Sequence, residues 1–300
     1  MNKFPEGVCP ILATTFTDQG EIDYASLKKL TRWLIEKKSS AITMFGIASE
    51  YYKLSDYERD KMIETVIKEA NGDVAVIVSV TKHASESAVV DAVHAEKMGA
   101  DMLMLLPPFF LSPDSTAIIN HIESVCQAVK IPVMVQYAPE QTGVKISPET
   151  FADLAKRYPQ ICYKIECKPP GKVITSVIEG SRGSVNVYVG NAGFQLIEGL
   201  QRGAVGVMPG CSMPEIYIKI YDSFKQGRFD QAVKIHNDLL PLLNSIRQSV
   251  EQIIKTEKII LKKRGVIASD YCRKPTFTLD EILQKDFEMY YANIEQYFSR

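Results

Sequence analysis

The 300-residue sequence has one tryptophan, four histidines and no surplus of either charge: 35 Lys and Arg face 36 Asp and Glu, a formal net charge of −1. That balance supplies no global basic field to hold a nucleic acid or an anionic membrane. Long apolar runs are missing as well. The longest nearly apolar run, Met102 to Leu111, is broken by Pro107 and Pro108 and is too short to span a bilayer. Met1 to Pro10 lacks the apolar h-region of a secretory signal. Six cysteines (Cys9, Cys126, Cys162, Cys167, Cys211 and Cys272) include no CxxC pair. Such scatter suits buried thiols in a reducing compartment better than a disulfide framework, so a cytoplasmic location is expected. His83, His94, His121 and His236 show no ligand spacing, so no metal site is expected. Neither a GxSxG elbow nor a P-loop is present.

What remains is ordinary globular material, 46% apolar and 24% charged, enough to bury a large core. The length allows two domains or one large α/β domain. Short β-branched or apolar runs alternate with longer amphipathic ones. Candidate strands are Cys9–Thr15, Ala41–Phe45, Val74–Val80, Met102–Leu106, Pro132–Gln136, Ile161–Ile165, Val185–Val189 and Gly206–Met208. Most are separated by roughly thirty residues, the length of a βα unit. Ser55-Asp56-Tyr57-Glu58 is a capping box that opens one helix. Ser147-Pro148 opens another, with proline where its missing donor costs nothing. A third carries Ala92, Ala95 and Met98 on one face and ends at Gly99.

Eight such units predict an α/β fold, a (β/α)8 TIM barrel over residues 1–225. A doubly wound sheet is the rival, but Thr14-Thr15-Phe16-Thr17 after the first strand is not Gly-rich. Beyond Phe224 the strand signal stops. Residues 229–262 read as one or two helices and residues 280–298 as a last one. Residues 226–300 are thus a C-terminal helical appendage, packed on the barrel or on a partner subunit.

Barrel active sites lie at the carboxyl ends of the strands. The unusual strand there is Ile161-Cys162-Tyr163-Lys164-Ile165-Glu166. A buried lysine is costly while charged and unpaired, so its pKa tends downward, and a neutral amine can form a Schiff base with a carbonyl. Glu166, two residues on, points to the same side and can pair with the amine or move protons at the adjacent carbon. The competing readings are a lysine whose head reaches water and a plain ion pair of Glu166 with Lys164 or Lys168. Lys82 and His83 follow the third strand and offer an alternative. Gly190-Asn191-Ala192-Gly193 and Gly203-Ala204-Val205-Gly206 either bind phosphate or simply permit tight turns.

In their order along nearly the whole chain, several segments resemble the dihydrodipicolinate synthase / N-acetylneuraminate lyase family of lysine-dependent class I barrel enzymes. They are Gly7-Val8 with Thr14-Thr15-Phe16; Phe45-Gly46-Ile47-Ala48-Ser49-Glu50 with Leu54-Ser55; and Gly99-Ala100-Asp101 through Pro107-Pro108-Phe109-Phe110. Pro139 with Thr142-Gly143-Val144, and the late glycine segments, continue the series. Lys164 falls where the family carries its Schiff-base lysine.

The departures from the family pattern are informative. Ile47-Ala48 stands where paired hydroxyl residues are usual, and Phe110 takes the place of a relay tyrosine. Gln136-Tyr137-Ala138-Pro139 replaces Tyr-Asn-x-Pro, which puts the tyrosine one residue late and on the opposite strand face. Gln141 replaces an arginine. Gln-x-Ala-Pro together with Lys164-x-Glu166-x-x-Pro169 resembles a divergent branch that includes dehydratases of 2-keto-3-deoxy sugar acids.

The resemblance implies a lyase acting on a 2-oxo acid through an imine with Lys164, either a 2-keto-3-deoxy sugar acid dehydratase or an aldolase that cleaves C3–C4 to pyruvate and an aldehyde, with no metal and no separate cofactor. Glu166 is the candidate base, and Tyr137 a second one if a bulge turns it inward. Ala48 and Ser49 are expected to hold the substrate carboxylate, Gln136 its hydroxyls, Gly190 and Asn191 to line the site, and His83 its mouth. The partner is a small 2-oxo acid, with no nucleic acid and no membrane, and a homo-oligomer, dimer or tetramer, is expected. The alternatives are an ordinary dihydrodipicolinate synthase, condensing pyruvate in lysine biosynthesis, and a barrel homologue with a binding role only.

Overall fold

The computed structural model describes residues 4–111 and 113–298. Residues 1–3, 112, 299 and 300 of the expected barrel and tail lie outside the described residues. In chain order the elements begin with β1 (Gly7–Val8), α1 (Tyr24–Glu36), β2 (Ala41–Met44), α2 (Asp56–Ala70) and β3 (Ala75–Val80). Next come α3 (Ser85–Met98), β4 (Met102–Leu105), α4 (Ser115–Ala128), β5 (Val133–Tyr137), the short α5 (Pro139–Thr142) and α6 (Pro148–Arg157). Then follow β6 (Ile161–Ile165), α7 (Gly171–Gly180), β7 (Val187–Val189), α8 (Leu196–Gln201) and β8 (Gly206–Val207). Four helices close the chain: α9 (Pro214–Lys225), α10 (Phe229–Ile246), α11 (Val250–Lys263) and α12 (Glu281–Ile294). Eight strands alternating with helices are the (β/α)8 barrel, and the tail is helical as its periodicity predicts. Among the described residues no helix is long and apolar enough to cross a membrane.

The chain divides into two compact units. The first comprises residues 4–6 and 75–208. Its strands β3 to β8 pair in parallel, each with the next. The β5–β6 register runs without interruption from Val133↔Ile161 to Tyr137↔Ile165. All five residues of β6 are buried, as are all four of β4, which is the pattern of strands covered on both faces. Burying each large apolar side chain there contributes about 1.5–3 kcal/mol. Successive side chains alternate faces. Tyr163 and Tyr137 share one face and stack on Phe151 of α6, at 4.7 and 5.0 Å between ring centroids. The Tyr163 hydroxyl donates to the Phe151 carbonyl at 2.6 Å. With that face committed to the helix layer, Lys164 is left on the other.

The second unit comprises residues 7–74 and 209–298. Here the capping box forms as read: the Ser55 hydroxyl accepts from the Glu58 N–H, and the Glu58 carboxylate accepts from the Ser55 N–H. The expected opening strand Cys9–Thr15 differs. Only Gly7–Val8 is a strand, and residues 9–15 make isolated bridges from Ile11 to Thr43 and to Gly210. Pro10 has no N–H to give a ladder, and the Ala13 N–H donates to Cys211 Sγ at 3.2 Å instead of to a neighbouring strand. All six cysteines are free and buried.

Candidate active site

The site grows out of the last turn of two neighbouring strands in the first unit. Parallel pairing sets Gln136 of β5 beside Lys164 of β6, so both project from the same face. Lys164 is only 3% exposed. Its Nζ lies 3.1 Å from Glu166 Oε1. Glu166 continues the strand: its N–H donates to the Tyr137 carbonyl at 2.8 Å, which keeps it two residues from Lys164 and on the same side.

Three groups hold the Glu166 carboxylate. Lys164 and the Asn191 N–H, the latter at 2.9 Å, meet Oε1, while Gln136 Nε2 donates to Oε2. Burial alone pushes this carboxyl up. The Lys164 charge, the Asn191 N–H and the Gln136 amide outweigh it, and the group ends below its ordinary carboxylate range. Glu166 is therefore ionised at neutral pH. Hydrogen bonds to a charged group contribute about 1.5–3 kcal/mol each, which offsets much of the cost of taking it out of water.

A turn under backbone strain delivers the Asn191 N–H. Asn191 and Ala192 both have φ of +54°, followed by Gly193 at +71°. Left-handed backbone at two consecutive non-glycine residues costs of order 1 kcal/mol each and persists where the surroundings enforce it. Gly190 is required for a different reason: a Cβ there would lie 2.1 Å from Glu166 Cγ and 2.7 Å from Oε1. Both glycine-segment residues named from sequence thus serve Glu166.

The remaining candidates fall elsewhere. Tyr137 reaches the lysine's face only through a bulge, and the regular β5–β6 register has none. Its ring packs on Phe151, on the opposite face. Lys82 pairs with Asp91 at 3.4 Å. The exposed His83 ring sits edge-on to Phe109, 4.8 Å between centroids. Ala48 and Ser49 lie in the second unit, in a single 3-10 turn after β2. Both Ser49 donors, the N–H at 2.9 Å and the hydroxyl at 2.7 Å, are turned onto the Gly46 carbonyl. Among the described residues no group of three or more His, Cys, Asp or Glu is placed to hold a metal ion.

Sequence reasoning missed a second buried cluster. In the second unit Glu50, fully buried and left-handed at φ +57°, accepts from Lys258 Nζ, from Lys53 Nζ at 3.1 Å and from the Arg273 N–H at 3.1 Å. The available signal was Lys258 itself, one turn from Ile254 and Leu261 on the apolar face of α11.

The model of the dihydrodipicolinate synthetase family matches residues 4–293. The chain is 30% identical over 275 residues to an L-2-keto-3-deoxyarabonate dehydratase of Azospirillum brasilense, covering 90% of this chain and 88% of the relative. It is 28% identical over 240 residues to a 4-hydroxy-tetrahydrodipicolinate synthase of Methanococcus maripaludis, covering 79% and 82%. The crystal structure of dihydrodipicolinate synthase from Rhodopseudomonas palustris superimposes with a TM-score of 0.89 at 27% identity, over 96% of this chain and 97% of that one. The chain is thus an enzyme of the lyase class and belongs to the dihydrodipicolinate synthetase family.

Proposed function

We propose that the chain is a Schiff-base-forming lyase for a 2-oxo acid, and specifically a dehydratase of a 2-keto-3-deoxy sugar acid. The observation that supports this most is the buried Lys164–Glu166 pair with Gln136, rather than a tyrosine, closing the carboxylate's other side. The Lys164 ammonium gives its proton to solvent, and the freed amine attacks the C2 carbonyl. Loss of water leaves a protonated imine, an electron sink that acidifies C3. Glu166, already ionised, then removes a C3 proton to give the enamine. The enamine expels the C4 hydroxyl, which leaves as water with the proton Glu166 has just taken. Hydrolysis of the imine frees the product and the lysine. Electron withdrawal by the imine does the work for which other lyases use a metal, and the reading assigns no metal and no separate cofactor.

In the same reading Gly190 and Asn191 keep the base in place. His83 lines the entrance. We also propose residues 1–225 as the catalytic barrel, residues 226–300 as its helical appendage, a cytoplasmic location, and a homo-oligomer, dimer or tetramer. The exposed apolar Phe110 and Leu111 in the loop after β4 favour an oligomer.

A second reading, a dihydrodipicolinate synthase, draws on the synthase relatives. Two experiments decide between the two. Product analysis with a panel of 2-keto-3-deoxy acids is expected to show loss of water from one of them. Complementation of a lysine-pathway auxotroph is expected to fail. Complementation without any dehydration would reverse the assignment.

A further inference from the structure

We infer that Gln136 determines specificity at this site: its amide oxygen takes a substrate hydroxyl near C4 while its amide nitrogen holds Glu166. The inference rests on the reading of Lys164 as the imine-forming amine and Glu166 as the base.

The orientation of the Gln136 amide follows from chemistry. An ionised carboxylate can only accept hydrogen bonds, so the amide group facing Glu166 Oε2 must be the nitrogen. The amide oxygen is therefore turned the other way. Gln136 is 2% exposed, and its Oε1 has no hydrogen-bond partner among the described residues. Buried acceptors rarely stand alone, because desolvation without a bond is unfavourable. The face that carries Gln136 also carries Lys164, directly across the β5–β6 ladder. A molecule attached to Lys164 is thus placed to supply the donor that Oε1 lacks.

Pyruvate cannot supply that donor, because its C3 is a methyl group. A 2-oxo acid with a hydroxyl on C4 can. Nitrogen and oxygen of one amide belong to a single planar group, so a hydroxyl on Oε1 is fixed relative to the Glu166 carboxylate on Nε2. One side chain then recognises the leaving hydroxyl and aims the base at the carbon beside it. A site built to hydrogen-bond a hydroxyl rejects the analogue that lacks it far more strongly than an apolar pocket rejects a missing methylene.

The test uses the purified full chain. Borohydride trapping is run in competition between a 4-hydroxy-2-oxo acid and its 4-deoxy analogue, with pyruvate trapping as reference. The native protein is expected to favour the hydroxylated acid by about tenfold or more. Gln136→Met should lose that preference and raise KM for the hydroxylated substrate, with the two acids compared as a ratio within each protein so that any general change in trapping cancels. Exchange of pyruvate C3 protons in D2O reads Glu166 placement separately, and should fall in the variant. Equal trapping of the two acids by the native protein overturns the inference, as does a preference that survives Gln136→Met. Failure to trap any acid at Lys164 instead brings down the underlying reading, and this inference with it.

Discussion

Lys258 and Glu50 in the second unit, and Lys164 and Glu166 in the first, are both buried lysine–glutamate pairs. In the second unit both members of the pair make further bonds. Glu50 accepts from three donors, Lys258 also donates to the Tyr271 carbonyl at 2.9 Å, and its ammonium lies 4.4 Å from the Phe16 ring centroid. Burial pushes the Lys258 ammonium below its ordinary range, against the charges around it. In the first unit three groups likewise hold the Glu166 carboxylate, but Gln136 keeps an acceptor that no group among the described residues fills. In the proposed reading the same two residue types make a strut in one unit and a reaction centre in the other. A buried pair is poor evidence for function by itself; the unfilled valence beside it carries the argument.

Four substitutions would break or sharpen this contrast. Lys164→Ala should remove turnover altogether and all imine trapping, while the chain still folds, since the Asn191 N–H and the Gln136 amide still hold the Glu166 carboxylate. A variant that still turns over would erase the difference between the pairs. Glu50→Gln should do the reverse. Leaving Lys258 buried without its counter-charge costs about 3–5 kcal/mol, read as a lower denaturant midpoint, with activity per folded molecule kept. Normal stability in that variant would mean that the second pair is no strut.

Glu166→Gln should still trap pyruvate at Lys164 but lose turnover by roughly a hundredfold or more. Retained turnover would reduce Glu166 to a counter-ion. The smallest effect is expected outside both pairs. Arg273 beside Glu58 holds that carboxyl at about 2, well under its ordinary value near 4.5. A depressed folded-state pKa means stability that is full above the unfolded value and lost as pH falls toward the folded one. Glu58→Gln should therefore cost about 1 kcal/mol at neutral pH, as a partly solvated pair allows. The gap between variant and parent should close between pH 4.5 and pH 2. A gap that stays constant with pH would assign the effect to packing.

Period and punctuation made much of this molecule legible. Ile161–Ile165 is a strand to the residue, because a β-branched and aromatic run between turns has little else to become. The two-residue spacing of Lys164 and Glu166 guarantees a shared face. The Ser55–Glu58 capping box reads directly, but the bond from Glu58 to Arg273 does not, since 215 residues separate them. Gln136 beside Lys164 depends on strand register, which no single strand contains. Asn191 and Ala192 in left-handed backbone are set by the carboxylate they serve rather than by their own preference. Cys9–Thr15 has a strand's composition and fails as one because Pro10 and Cys211 divert its donors.

Incubating the native protein with pyruvate and borohydride, followed by peptide mapping by mass spectrometry, probes both lysines at once. The account predicts a reduced pyruvyl adduct on Lys164 and none on Lys258. An unmodified Lys164, or an adduct found on another lysine in its place, would contradict it.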